Sequence, residues 1–141
     1  MLTMVLLCNN AELSKTASGW QADGDPTETA LAIAAARQGI QPDTVLRQYP
    51  RVAEFPFDAV RKRMTTVHRI SSGGYRIIVK GAPEILISCC DRYHSEKGIA
   101  LLDTKAKERA LQRNAEFSGR ALRVIGVAYK NTDTVPVREA E

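Results

Sequence analysis

Residues 64–70 and 75–80 are two β-rich runs joined by Ser71-Ser72-Gly73-Gly74, and this pair limits the fold more than any other stretch. Val, Ile, Thr and Tyr supply most of both runs, and a short link ending in two glycines turns the chain back on itself. The returning run puts Tyr75, Ile77 and Val79 on one face and Arg76, Ile78 and Lys80 on the other. Lys80 and Gly81 are thereby carried to a strand end, back to the neighbourhood of Arg61, Lys62 and Arg63. Between Arg51 and Lys80 there are seven basic residues and two acidic ones, a local excess of five against +4 for the whole chain. That concentration favours an anionic ligand, although a merely solvated basic hairpin has the same composition.

The flanking sequence supplies helices to cover such a sheet. Asp25 suits a helix cap, Pro26 the first helical position and Gly39 the stop, with Ala30, Leu31, Ala34 and Ala35 as a stripe able to lie close on a sheet. Glu28, three residues after Asp25, is placed to complete a capping box. A short helix is expected over 42–48 and a strand over 51–57, anchored by Val52 and Phe55, with Pro56 tolerable only at an edge or bulge. Helices follow over 83–90 and 104–117, the first with amides aimed back towards Lys80 and the second with Ala106, Ala110, Leu111 and Phe117 inward. Residues 121–129 read as an apolar strand interrupted by Arg123 and Gly126, residues 14–24 as a surface connection, and 1–8 as a buried first element. Strands linked by hairpins and helices predict an α+β fold, a mainly antiparallel twisted sheet flanked by helices. One domain is expected over 1–141, with 130–141 a frayed tail.

Several functional classes find no support. No apolar run approaches the roughly 18 to 20 residues of a membrane helix, and the opening residues lack a leader's basic start and cleavage pattern. Three cysteines suggest free thiols in a reducing compartment. Cys89, Cys90 and His94 fall short of the four ligands and spacing of a zinc site, so buried thiols and no metal site are expected. No Ser-His-acid grouping suggests nucleophilic catalysis, and no catalytic residue is assigned. Both the phosphate-cradling loop and the Gly-x-Gly-x-x-Gly fingerprint are missing. Any nucleotide site must therefore be assembled from side chains on several segments.

Four strings stand in order on such segments: Asp25-Pro26-Thr27-Glu28-Thr29-Ala30-Leu31, Phe57-Asp58-x-x-Arg61-Lys62-Arg63-Met64, Lys80-Gly81-Ala82-Pro83-Glu84 and Gly119-Arg120-x-Leu122-Arg123. Together they resemble the signatures of the nucleotide-binding domain of P-type cation-transporting ATPases, over roughly residues 8 to 130. The Ser-Glu-His-Pro tetrapeptide of heavy-metal pumps is absent, which favours a branch similar to calcium or other type II cation pumps.

That resemblance implies an ATP-binding domain that presents its nucleotide to an aspartate on a separate phosphorylation domain. Phe57 would stack on adenine, although without the resemblance the core strand reading outweighs it about two to one. Glu28 would meet the adenine amino group, serve as the cap, or do both. Lys62 and Lys80 would reach the nucleotide's edge and phosphates, and Gly81 would let the ligand approach the backbone. Arg123 would lie near ribose and phosphates, or else pair with Asp58 or Glu28. Ala59 stands where several relatives carry a polar or basic side chain, a contact Arg61 is expected to replace. The implied partners are ATP or ADP and the phosphorylation and actuator domains of a parent pump, at the cytoplasmic face of a membrane. The isolated domain is expected to be monomeric and to bind without hydrolysing, with magnesium mattering only in the complete enzyme. The alternatives are an RNA-binding module built on the basic hairpin 61–80 and an adaptor showing a basic surface.

Overall fold

The computed structural model describes residues 1–136. In chain order they form α1 (Leu2–Leu7), β1 (Glu12–Thr16), β2 (Gly19–Asp23), α2 (Pro26–Arg37), α3 (Pro42–Gln48), β3 (Arg51–Asp58) and β4 (Arg63–Arg69). There follow β5 (Tyr75–Gly81), α4 (Pro83–Cys89), β6 (Arg92–Ser95), β7 (Gly98–Leu101), α5 (Thr104–Gly119) and β8 (Gly126–Thr132).

A four-stranded antiparallel sheet in the order β3-β4-β5-β8 carries the fold, with β1-β2 and β6-β7 as separate two-stranded sheets. The glycine link closes the β4–β5 hairpin, with Gly73 and Gly74 both at positive φ, 94° and 77°. Its register runs from Arg69↔Tyr75 to Arg63↔Gly81. Pro56 falls on edge strand β3, inside the irregularity between the pairs Phe55↔Thr65 and Asp58↔Arg63. An edge and a bulge are where a residue without an amide hydrogen is tolerated.

The core lies where α1 meets the sheet: Leu7 and Cys8 pack on Met64 and Ile78. Burying a side chain such as Leu7 or Ile78 contributes about 1.5–3 kcal/mol. Leu6 continues this core onto α2 through Ala32 and Ala35. Asp25 caps α2 by accepting from the amides of Thr27 and Glu28. The small-residue stripe is rotated from the expected one, since Ala30 and Ala34 are exposed while Ala32, Ala35 and Ala36 are buried. These lie four, seven and eight residues beyond Glu28, so the inward face of the helix is the one bearing that carboxylate. It covers α1 and the β1–β2 hairpin instead of the large sheet.

Other expectations change too. Residues 14–24 belong to the β1–β2 hairpin, and the polar turn near Gly98 belongs to the β6–β7 hairpin. Val52 is no anchor but 39% exposed, and Leu111 and Phe117 on α5 are similarly open. Only Ala106 of that helix is fully buried. Residues 121–125 are not a strand, and β8 continues through Thr132, inside the expected frayed tail. The end of that tail, 137–141, lies outside the described residues.

Candidate functional site

Lys80 ends the buried face of β5 that begins at Ile78, and its side chain is only 9% exposed. An ammonium there requires a partner. Glu28, on the inward stripe of α2, supplies it: Lys80 Nζ donates to Glu28 Oε1 at 2.5 Å. The second oxygen, Oε2, accepts from the Asn10 amide at 3.2 Å. Glu28 therefore does not close a capping box; both oxygens face the sheet and the end of α1, and Asp25 caps the helix alone.

Residues that sequence reasoning left aside hold this pair in place. Asn9 Nδ2 donates to the Glu28 carbonyl, Asn10 Nδ2 to Glu54 Oε1, and Arg51 Nη1 to both Glu54 Oε2 and Asn10 Oδ1. Arg51 Nη2 donates to the Leu7 and Asn9 carbonyls at the end of α1. Asn9-Asn10 reads locally as a polar turn; nothing in its own stretch points to partners 18 and 44 residues away.

The second string folds into a turn with its own cause. Asp58 Oδ1 accepts from the amides of Val60 and Arg61 at 3.0 and 2.8 Å, and the Arg61 contact, ahead of that from Val60, holds its carboxyl below the usual range. The Arg61 guanidinium folds back to the Pro56 carbonyl at 2.9 Å, so it is engaged within the turn and not extended in place of a side chain at Ala59. Lys62 closes the turn in the left-handed region, φ 53°. Its carbonyl accepts from the Ala82 amide at 3.0 Å. A Cβ on Gly81 would collide with that same carbonyl oxygen and come within 2.7 Å of Arg63 Cβ. Gly81 is thus required by its own chain, where sequence reasoning invoked a ligand. Its missing side chain lets the second and third strings lock together.

Glu84 stands in the first turn of α4, its carboxylate 3.9 Å from Lys62 Nζ. Lys62 is otherwise open, with 57% of its side chain exposed.

Phe57 is 64% exposed, so it is not a core residue. It stands one residue before Asp58, within the irregularity between Phe55↔Thr65 and Asp58↔Arg63. Asp58 pairs with Arg63 and Arg63 with Gly81, so Phe57 and Lys80, each one residue short of those positions, lie at the same end of the sheet. Arg123 lies in the segment before β8, not within a strand, and its Nη1 donates to Thr27 Oγ1 at 2.8 Å. That contact joins the fourth string to the first and takes the place of the expected pairing with Asp58 or Glu28. Glu28, Lys80, Arg123 and Phe57 thus gather around one end of the sheet, with Lys62 and Gly81 linked through the β4–β5 register. The arrangement offers a flat ring, a buried carboxylate–ammonium pair and an exposed outer ammonium. Those groups suit a ligand that is aromatic at one end and anionic at the other.

His68 is fully buried under this network. Its Nδ1 lies 2.9 Å from the Tyr49 carbonyl and Nε2 3.0 Å from Thr66 Oγ1, so the tautomer with hydrogen on Nδ1 satisfies both. Burial pushes its pKa down, and Arg51 pushes the same way.

Comparison with known proteins identifies the family. A family profile described as "P-type ATPase, cytoplasmic domain N" matches residues 1–141. The calcium-transporting ATPase of Bacillus subtilis (strain 168) is 37% identical over 146 aligned positions, covering 100% of this chain and 16% of that protein. Calcium-transporting ATPase 1 of Lactococcus lactis subsp. lactis is 35% identical, covering 92% of the chain and 14% of the relative. A probable cation-transporting P-type ATPase of Mycoplasma genitalium is 38% identical, covering 88% and 12%. The chain therefore spans about one sixth or less of the length of these relatives. With the four strings at one end of an antiparallel sheet and the profile covering every residue, the chain belongs to the cytoplasmic N-domain family of the P-type ATPases.

Proposed function

We propose that this domain holds ATP by its adenine end for transfer of the terminal phosphoryl group to an aspartate on a separate domain of a longer cation pump. The observation that supports this reading is the exposed Phe57 ring at the same end of the sheet as the buried Lys80–Glu28 pair. Adenine stacks on Phe57; Glu28 accepts from the exocyclic amine; Lys80 and Arg123 meet the ribose and phosphate side; Lys62 swings with the phosphates from the rim. Phosphoryl transfer rests on positioning and charge neutralisation, so a domain without the acceptor aspartate binds without hydrolysing. Magnesium then acts in the complete enzyme, and the phosphorylation and actuator domains are the partners. The domain works as a monomeric unit on the cytoplasmic face of a membrane-embedded parent. No helix among the described residues is long and apolar enough to cross a membrane.

The RNA-binding alternative draws no comparable support, since several basic residues in and beside the hairpin are engaged within the fold. Lys80 holds Glu28, Arg61 the Asp58 turn, Arg51 Glu54, and Arg76 stands over the Tyr129 ring.

Titration with ATP, ADP, GTP and a short RNA at two salt concentrations tests the reading, together with Phe57→Ala. A stacked base is worth about 1–3 kcal/mol, so the variant weakens ATP binding roughly 5- to 150-fold while its melting temperature stays put. Equal affinity for ATP in both proteins, or tighter binding of RNA with a steep salt dependence, refutes it.

A further inference from the structure

The Glu28 carboxylate is met from within the fold on both of its oxygens. Lys80 Nζ donates to Oε1 and the Asn10 amide to Oε2, while 18% of the Glu28 side chain stays open to solvent. An ionised carboxylate offers about four lone-pair sites and has no hydrogen to give. With both oxygens anchored, what it turns outward is acceptor capacity alone, which suits an amine and turns away a carbonyl oxygen.

Of the two anchors, the Asn10 amide is the one that needs support. Lys80 belongs to an interior strand of the large sheet, whereas Asn10 is exposed in the link between α1 and β1. Buried Asn9 fastens that link to α2, donating Nδ2 to the Glu28 carbonyl at 2.9 Å and accepting the Ala11 amide on Oδ1 at 2.7 Å. Arg51 completes the hold from the start of β3, where it pairs with His68. Its Nη2 donates to the Leu7 and Asn9 carbonyls at 2.8 and 2.7 Å, and its Nη1 to Asn10 Oδ1 and Glu54 Oε2. Glu54 Oε1 in turn accepts from Asn10 Nδ2 at 2.7 Å, so both polar atoms of the Asn10 side chain are taken. A planar fork serves these acceptors together, as a point charge on a lysine does not.

We infer that Arg51 is a positioning residue for base selection. Acting through the Asn10 side chain, it keeps the Asn10 amide on Glu28 Oε2 and the carboxylate aimed at the amino group of a 6-aminopurine. The inference rests on the Glu28–amine contact proposed above. Without the guanidinium, Asn10 Oδ1 and the Leu7 and Asn9 carbonyls lose a shared donor, the link loosens, and the carboxylate turns about Lys80 towards water. Lys62 and Arg123 stand on other segments, so the phosphate side keeps its contacts. Base selectivity and overall affinity therefore separate.

Isothermal titration compares ATP with purine riboside triphosphate, which lacks only the exocyclic amine, on the unaltered chain, Arg51→Gln and Asn10→Ala. Arg76→Gln is the control, removing a guanidinium that stands over Tyr129 and donates to Asn131. A hydrogen bond to a charged group is worth about tenfold or more in affinity, so the unaltered chain should favour ATP by at least that factor. Arg51→Gln and Asn10→Ala should each cut the preference to about threefold or less, weakening ATP while the analogue binds as before. Partial unfolding would weaken both nucleotides by one common factor, so a merely structural Arg51 leaves the ratio untouched. Should Arg51→Gln fail to fold, Asn10→Ala decides, because it removes the same link and spares the guanidinium's bonds to the two carbonyls. A ratio preserved in either folded variant overturns the inference, as does an equal fall in Arg76→Gln. An unaltered chain that binds neither nucleotide, or binds both alike, overturns the adenine-end reading itself and Arg51's part with it.

Discussion

Replacing Gly81 with alanine separates a structural glycine from a ligand-contacting one. Gly81 is not among the residues with positive φ, so alanine meets no conformational penalty there, and the cost comes from contacts alone. The new Cβ would strike the Lys62 carbonyl oxygen and lie 2.7 and 2.8 Å from Arg63 Cβ and Cα, two of these three atoms being backbone. Backbone cannot swing aside as a side chain does, so the Arg63↔Gly81 pairing opens and the 3.0 Å bond from the Ala82 amide to the Lys62 carbonyl weakens. Overpacking of this kind costs about 1–3 kcal/mol and one lost hydrogen bond about 1 kcal/mol more. The smaller conformational freedom of unfolded alanine returns about 0.4–1 kcal/mol. The net loss is about 1–3.5 kcal/mol, which at this chain length lowers the melting temperature by roughly 3–12 °C. Thermal and urea unfolding without nucleotide is the assay. If Gly81→Ala melts within about 2 °C of the parent yet loses ATP binding, the glycine serves the ligand and the reasoning fails.

In a double-mutant cycle of Glu28→Gln and Lys80→Met, the Lys80–Glu28 pair should show a coupling of about 1–3 kcal/mol in unfolding, since both side chains are largely buried; additive effects would show that neither senses the other. His68 titrates low when folded and near 6.5 when unfolded, so the unfolded chain takes up the proton first. Stability should be level above about pH 6.5 and fall below it by at most about 1.4 kcal/mol per pH unit, and His68→Gln should flatten that slope; identical pH profiles would refute this. Lys62→Asn keeps a residue tolerant of the left-handed region but removes the ammonium, so it should weaken ATP binding with little change in melting; a large stability loss would make Lys62 structural.

Elements with a sharp local signal were legible in the sequence: the cap, proline and glycine around α2, the bounds of α3, and the double-glycine hairpin. The two small hairpins were not, because β1 and β2 keep only Leu13, Trp20 and Ala22 partly covered, which leaves little hydrophobic alternation to read. Arg123 misled by its apolar neighbours, which form a connection before β8 and not a strand. At the site, the strings named the right segments, but partners such as Asn10 and Arg51 depend on contacts across the fold that no local pattern encodes. Glu28 shows the difference best. Its spacing from Asp25 suits a cap, yet a nearly buried ammonium 52 residues away is a stronger claimant for its oxygen.

The border position of β3 has a consequence for how the molecule behaves in a crowd. An outermost strand beside an uncovered aromatic ring is the kind of surface onto which a second chain adds its own strand, and then a third. Pro56 carries no amide hydrogen, and the slipped register around it breaks the regular spacing of donors. A newcomer finds no continuous template there, so the ring stays accessible to small molecules without seeding fibres.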